Sequence, residues 1–302
     1  MKKAIVTGGA GFIGSNLVDR LIDDGVEVHV IDNLSTGKIE NVNPKANFHK
    51  EDISLLEPEF NHWYLKNTDI IFHCAALARV QPSIKDPISF DKVNTGGTLR
   101  MLMLAHNLGV KRFVYSASSS AYGNVEKTPT GEEHSTNPLS PYGLQKHIGE
   151  LYCKMFSQVY NLDTVSLRYF NVYGERMNLD GAYKLVIPIF AQQMLKNKAL
   201  TINNDGEQRR DFTYVGDVVE ANILAALYPN KHNGEIYNIG NGKNYSINEL
   251  ADMFGGKKQY GNKVIEPFET LADNSKALLM LDWDPKGDLP TWIKKYKQEL
   301  GI

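Results

Sequence analysis

Lys2-Lys3-Ala4-Ile5-Val6-Thr7-Gly8-Gly9-Ala10-Gly11-Phe12-Ile13-Gly14 is the stretch from which the rest of the chain is read. Ala4 to Val6 is a short apolar run with the character of a buried strand. It breaks at Gly8-Gly9, after which Phe12, Ile13, Leu17, Val18 and Leu21 recur at helical spacing. Strand, glycine turn and helix start together build a diphosphate site. The first glycine permits the tight turn, the second lets backbone approach a pyrophosphate, and the third lets helix pack on strand. The helix N-terminus adds unpaired N–H groups and a partial positive charge. Gly8, Gly11 and Gly14 give G-x-x-G-x-x-G rather than G-x-G-x-x-G, and glycines also punctuate ordinary turns. Context decides between the two. The next apolar run, Val26 to Ile31, ends on Asp32, 18 residues past Gly14, where an acid accepts ribose hydroxyls. An acid there repels a 2′-phosphate, so NAD is expected rather than NADP.

Outward from this start, strand-like runs alternate with helical ones: Ala4–Val6, Val28–Ile31, Ala46–Lys50, Asp69–Cys74, Arg112–Ser116 and Thr164–Leu167, with helical patterns at Phe12–Asp24, Val93–Leu108 and Gly143–Tyr160. The alternation predicts an α/β fold, a Rossmann-type doubly wound parallel sheet with helices on both faces. Ligands of such sheets sit at the carboxyl ends of the strands. After Arg168–Gly174 the pattern loosens into longer loops and shorter strands. Residues 1–170 are therefore expected to form the NAD-binding domain, with a return to it around 211–240. Residues 171–302 are expected to form mainly a smaller α/β substrate domain.

Composition narrows the class. With 33 basic and 35 acidic residues, a formal charge of −2 and no long like-charge block, nothing favours nucleic acid as a partner. Cys74 and Cys153 are the two cysteines and form no C-x-x-C pair. A reducing compartment, no disulfide framework and no metal site are expected. No stretch approaches the roughly 18 apolar residues that cross a membrane. A cytoplasmic protein without a signal peptide is the expectation.

Pro141-Tyr142-Gly143-Leu144-Gln145-Lys146 opens a helix, which sets Tyr142 and Lys146 one turn apart on one face. A free phenol, with a pKa near 10, is a poor base at neutral pH. A lysine one turn away and an oxidised nicotinamide would draw it towards the working range. The pair alone is a common accident. Its position beyond Tyr115-Ser116-Ala117-Ser118-Ser119-Ser120-Ala121-Tyr122-Gly123 makes the catalytic reading the better one. Ser118 is the candidate hydroxyl for the reacting alcohol and the proton relay, while Ser116 and Ser120 are read as satisfying loop backbone. A serine nucleophile is disfavoured, because there is no G-x-S-x-G and no histidine or carboxylate at triad spacing.

Thr7–Gly14, Asp32–Gly37, His73–Ala76, Ser118–Gly123, Tyr142–Lys146 and Arg168–Gly174 together resemble the extended short-chain dehydrogenase/reductase family over about residues 1–240. Within it the chain is similar to nucleotide-sugar 4-epimerases of the UDP-glucose/UDP-N-acetylglucosamine branch. The resemblance implies that Gly8, Gly11, Phe12, Ile13 and Gly14 hold the NAD diphosphate. It puts Asn33, Ser35, Thr36 and Gly37 beside Asp32 at the adenosine ribose, and Asp52 and Ile53 at adenine. Ala75 and Asn94 would line the cofactor, Lys146 would hold the nicotinamide ribose, and Tyr169 would lie near the nicotinamide. For the UDP-sugar it implies Ser118, Ser119 and Tyr142 at the reacting sugar and Asn171 at the diphosphate or sugar. Thr201 and Asn203 would border the uridine, and Arg210 would clamp the diphosphate with its bidentate fork.

Two positions bear on the reaction. Sugar dehydratases of the family place Asp-Glu after the catalytic hydroxyl, and decarboxylases tend to carry Ser-Glu. Ser119-Ser120 cannot supply that acid–base pair, so epimerisation is expected over lyase chemistry. It is also expected over net reduction of a nucleotide sugar and over a non-catalytic dinucleotide-binding role, which would need no tyrosine–lysine pair. Near the C-terminus the family has a second diphosphate arginine, whereas the stretch 262–273 offers Lys263 and acids. Thr270, just before Ala272-Asp273, matches the position where a tyrosine crowds out an N-acetyl group, so both UDP-glucose and UDP-N-acetylglucosamine are expected as substrates. The resemblance further implies a homodimer through the helices at 93–108 and 143–160. Leu99, Leu102, Met103, Leu151 and Phe156 would either supply its contacts or pack on the sheet.

Overall fold

β-Branched and aromatic residues dominate the first strands, and the structure buries those strands on both faces, as a parallel sheet requires. A computed structural model of the chain describes residues 1–59, 62–177, 185–263 and 267–302. The first half runs β1 (Lys3–Thr7), α1 (Phe12–Asp23), β2 (Glu27–Ile31), β3 (Asn47–His49), β4 (Ile70–His73), α2 (Val80–Lys85), α3 (Pro87–Asp91), α4 (Thr98–Leu108), β5 (Arg112–Ser118), α5 (Pro141–Val159) and β6 (Thr164–Tyr169). The second half runs β7 (Val172–Tyr173), α6 (Val186–Leu195), β8 (Leu200–Ile202), β9 (Arg209–Asp211), β10 (Thr213–Tyr214), α7 (Val215–Leu227), β11 (Glu235–Ile239), β12 (Asn244–Ser246), α8 (Ile247–Phe254), β13 (Lys258–Tyr260), α9 (Ser275–Leu281) and α10 (Leu289–Leu300).

Seven strands form one parallel sheet in the order β11-β6-β5-β4-β1-β2-β3. Val6 lies opposite Val30 on one side and Phe72 on the other, which sets the register at the centre. The chain steps outward from β1 to β3, then crosses to β4, so strand order reverses between β1 and β4. That reversal opens the crevice where a ligand of such a sheet binds.

Period-2 alternation sorts the strand residues between two cores. Ala4, Val6, Ile70, Phe72 and Val114 pack with α1 and α7 on one face. Ile5, Ile71, Phe113 and Tyr115 pack with Met101, Leu102, Cys153 and Phe156 on the other. A third cluster, including Tyr173, Phe190, Phe212, Phe254 and Ile293, serves the small sheets of the second half, and Phe12 from the start of α1 packs against it.

Three features depart from the sequence reading. The helical pattern from Val93 is split: residues 92–97 form a π turn before α4 begins. The tight spot is Gly97, where a Cβ would meet Ile53 Cδ1 at 2.7 Å. Second, the loop after β4 carries two short helices, α2 and α3, whose Pro82 and Pro87 fall within the first turn, where proline costs no hydrogen bond. Third, the C-terminal stretch also comes back to the large sheet, beyond the return expected at 211–240. β11 is its seventh strand, and Ala277, Leu281 and Trp283 from the C-terminal stretch join the core under it. Among the described residues, no helix is long and apolar enough to cross a membrane.

Candidate active site

The turn after β1 forms the cradle that its glycines predict. Gly8 has φ +70°, a conformation side chains rarely take, and a Cβ on Gly14 would lie 2.2 Å from the Gly8 carbonyl oxygen. The first N–H groups of α1, at Phe12, Ile13 and Gly14, have no intrahelical acceptor. Asp32 is buried at the end of β2. Its Oδ2 accepts from Ala10 N–H at 3.0 Å and its Oδ1 from Leu34 N–H at 2.8 Å, which ties the acid to the glycine turn. Asn33 accepts from Ser35 N–H at 2.9 Å and donates to Asp52 at 3.1 Å, joining the ends of β2 and β3. Ser35 and Thr36 are exposed at the rim. Ile53, expected at adenine, is buried in the core. The cradle, the acid and the free N–H groups suit a dinucleotide diphosphate and ribose.

A single proton chain joins the ends of β1 and β4 to the π turn. Thr98 Oγ1 donates to the Asn94 carbonyl at 2.6 Å, so it must accept from His73 Nε2–H at 3.0 Å. His73 Nδ1 is then the acceptor from Thr7 Oγ1 at 2.8 Å, and Thr7 Oγ1 in turn accepts from Ala75 N–H at 3.2 Å. In this arrangement the imidazole is neutral. Burial, with the charge of Lys146, pulls its pKa down to about 3. Asn94 uses its amide to hold Leu77 and Gln145, which fastens the loop lined by Ala75 to α5.

Ser140 caps α5 by accepting from Gly143 N–H at 3.1 Å, with Pro141 in the first turn, which explains why a helix starts here. Tyr142 is half-buried in that first turn, and its N–H donates to Ser83 Oγ at 3.1 Å. Burial raises the phenol's pKa, while the Ser118 hydroxyl and the Arg79 cation pull it back. Lys146 is buried, its pKa drawn down to about 8 by that burial. Its Nζ donates to the Ser116 carbonyl at 2.7 Å and lies 5.0 Å from the Tyr115 ring centre. The i, i+4 spacing predicts that Lys146 acts on the phenol. In the structure its Nζ is bound to the Ser116 carbonyl.

Ser118, also buried, donates to Ser120 Oγ at 3.1 Å and accepts from Ser120 N–H at 3.2 Å. Ser119 lies beside it in a short helical turn. Ser116 and Tyr169 share a hydrogen bond at 3.1 Å, and Asn222 on α7 holds the Tyr169 hydroxyl at 2.8 Å. The fifth and sixth strands thus end on a chain of polar groups beside the lysine.

On the other side of the crevice, Asn171 donates to Thr270 Oγ1 at 3.2 Å and to the Asp211 carbonyl at 3.1 Å. Asp211 is the hub here: its carboxylate accepts from the N–H groups of Asn241 at 2.8 Å, Gly242 at 3.0 Å and Ala272 at 3.0 Å. Sequence reading favours its neighbour Arg210 and misses Asp211, although an acid between Arg210 and Phe212 on a buried strand marks such a hub. Arg210 itself donates to the carbonyls of Arg209 at 2.8 Å and Phe268 at 3.3 Å. Thr201 and Asn203 are exposed on and just after β8, and reach β9 through the bond from Gln208 to the Asn203 carbonyl at 3.0 Å. Lys263 is exposed, and residues 264–266 of the divergent stretch lie outside the described residues. Among the described residues, no cluster of three or more metal-ligating side chains occurs. Arg79 and Ser83 escape sequence reading because no spacing marks them. Their one signal is that they follow a strand ending in the crevice.

A parallel sheet with a glycine cradle at its switch point, an acid at the end of β2 and a tyrosine–lysine helix beside a serine cluster define a dinucleotide-dependent α/β enzyme. The chain belongs to the NAD dependent epimerase/dehydratase family, whose model matches residues 4–240. A Methanocaldococcus jannaschii protein provisionally named a UDP-glucose 4-epimerase is 40% identical over 301 residues, covering 96% of each chain. The Thermotoga maritima UDP-glucose 4-epimerase, solved with UDP-glucose, superposes with a TM-score of 0.92 at 37% identity, over 99% of this chain and 100% of that one. UDP-glucuronic acid decarboxylase 1 of Xenopus tropicalis is 34% identical, covering 97% of this chain and 71% of its own length.

Proposed function

We propose that the chain is an NAD-dependent 4-epimerase of a UDP-sugar. The observation that carries this reading is the company Tyr142 keeps. Burial raises the phenol's pKa while the Ser118 hydroxyl and the Arg79 cation lower it, and Ser119-Ser120 stand where elimination would need acids. Tyr142 takes the proton from the sugar 4-hydroxyl, and Ser118 orients that hydroxyl and relays the proton. NAD, when bound, accepts the C4 hydride and returns it to the opposite face of the sugar. Lys146 holds the cofactor ribose, and Asp32 the adenosine ribose. Asn171 and Arg210 anchor the substrate diphosphate while the 4-keto sugar turns. Thr270, tied to Asn171, leaves room for a C2 N-acetyl group, so UDP-glucose and UDP-N-acetylglucosamine are both substrates. The active unit is a homodimer joined through α4 and α5.

Proton NMR of the purified protein with each sugar nucleotide, without added NAD, tests the reading. Galacto-configured product is expected from both, and Thr270→Tyr should lower turnover of the N-acetyl sugar selectively. The likeness to a decarboxylase favours a second reading. Carbon dioxide and a pentose from UDP-glucuronic acid, with no epimer from any sugar, would establish that reading in its place.

A further inference from the structure

Asn222 is a buried amide among apolar neighbours on α7. Val218, Val219, Ala225 and Ala226 are buried around it on the helix, and Asn222 itself is 0% exposed. Burying an amide is costly unless its groups are bonded, and here both ends are used. Nδ2 donates to the Val218 carbonyl at 2.7 Å and to the Tyr169 hydroxyl at 2.8 Å, while Oδ1 lies 3.1 Å from that hydroxyl. A carbonyl can only accept, so Val218 fixes which way the amide points. From Tyr169 the bonds run on across the sheet. The phenol is 3.1 Å from Ser116 Oγ, which donates to Cys74 Sγ at 3.3 Å. The carbonyl of Ser116 accepts from Lys146 Nζ at 2.7 Å. One residue of α7 thereby ties together side chains from the carboxyl-end regions of neighbouring strands β6, β5 and β4.

Those strand ends have a definite place in the fold. The glycine cradle follows β1 and Asp32 follows β2, so the adenosine half of a dinucleotide lies on that side of the switch point. Its nicotinamide half then falls across the ends of β4, β5 and β6. Tyr169 is the last residue of β6, its ring packs in the core shared with α7, and it remains 8% exposed. Burial raises its phenol's pKa well above the ordinary value, so the hydroxyl stays protonated. That hydroxyl is already bonded inside the protein, to Asn222 and Ser116. What Tyr169 offers a cofactor is therefore its ring, at an angle set by where the hydroxyl is tied. A tether at the far end of a ring is the one that most restricts its swing.

We propose that Asn222 is a positioning residue for the cofactor: through the Tyr169 hydroxyl it holds that ring as a wall of the nicotinamide site. This role needs the NAD site alone and holds whatever sugar is turned over. ADP-ribose, which is NAD without its nicotinamide, separates the role from a general loosening of the fold. NADH is titrated into the full chain by its fluorescence and displaced with ADP-ribose, for wild type, Asn222→Leu, Tyr169→Phe and the double variant. Wild type should prefer NADH. Asn222→Leu and Tyr169→Phe should each weaken NADH by roughly three- to tenfold, the size of one lost hydrogen bond, and leave ADP-ribose unchanged. The double variant should bind NADH no more weakly than Tyr169→Phe alone, because the two groups act through one bond. It also replaces both polar partners with apolar ones, a change that costs little stability. A wild type that binds ADP-ribose as tightly as NADH overturns the proposal at the outset. An equal loss for both ligands in the single variants overturns it, as does no loss for either. Losses that add in the double variant overturn it too, since Asn222 would then act elsewhere than on Tyr169. If wild type epimerises no sugar while this pattern of affinities is found, the epimerase reading falls and Asn222 keeps its role.

Discussion

At the scale of single residues, Tyr142 and Ser118 divide one proton transfer between them in the proposed reaction, and their removal should differ in degree. Tyr142→Phe is expected to abolish nearly all turnover through kcat with KM little changed, since the phenol acts in the transition state. Ser118→Ala should cost about 10–1000-fold, on the order of an assisting acid–base group. A tenth of the wild-type rate surviving in Tyr142→Phe would show that another group is the base. His73 carries a prediction about stability. Its ordinary pKa is near 6.5 and its folded value about 3, so below pH 6.5 the unfolded chain binds a proton that the folded one refuses. Stability present above pH 6.5 is therefore lost as pH falls towards 3, by up to about 1.4 kcal/mol per unit. Protonation would also take away the acceptor that His73 Nδ1 offers the Thr7 hydroxyl. Urea midpoints at pH 7 and pH 5 for wild type and His73→Gln check this. Equal losses in both would mean that other groups set the acid limit.

Among elements, α1, α5 and the central strands were readable because apolar spacing and start signals coincide at each. The π turn at 92–97 was not readable, since helical periodicity continues through Val93 and Leu99 while Gly97 packs on Ile53. α4 and α5 show how far periodicity separates core from surface. Leu102 and Phe156 are fully buried against the sheet, while Leu151 is 54% exposed and Leu144 48%. Leu99 and Met103 are half-buried. The exposed leucines of α5 are the contacts open to the proposed dimer. Sedimentation at micromolar concentration should give a dimer, and Leu144→Glu with Leu151→Glu should shift it to monomer. Wild type sedimenting as a monomer would rule this interface out.

For the whole molecule, the carboxyl-end positions of Asp32, Ala75 and Ser118 were legible from strand alternation alone, because the parallel topology sends every such residue to one edge. The destination of the C-terminal stretch was not, since packing between residues far apart in sequence leaves no local periodicity. Trp283 is the instance: it is 1% exposed in the core of the first half, and its Nε1 donates to the Asp217 carbonyl at 2.8 Å. Trp283→Ala is expected to destabilise the entire chain by roughly 3–5 kcal/mol, with one cooperative urea transition at a lower midpoint. Two separated transitions, the first half's unmoved, would refute that dependence.

Phe12 ties these scales together. It opens the helix whose N–H groups face the diphosphate site, and its ring belongs to the packing of the other core. A side chain shared in this way gives the two binding sites of the proposed enzyme a common packing element, through which their occupancies can couple. Whatever factor by which NAD tightens the hold on a sugar nucleotide, the sugar nucleotide must tighten the hold on NAD by the same factor.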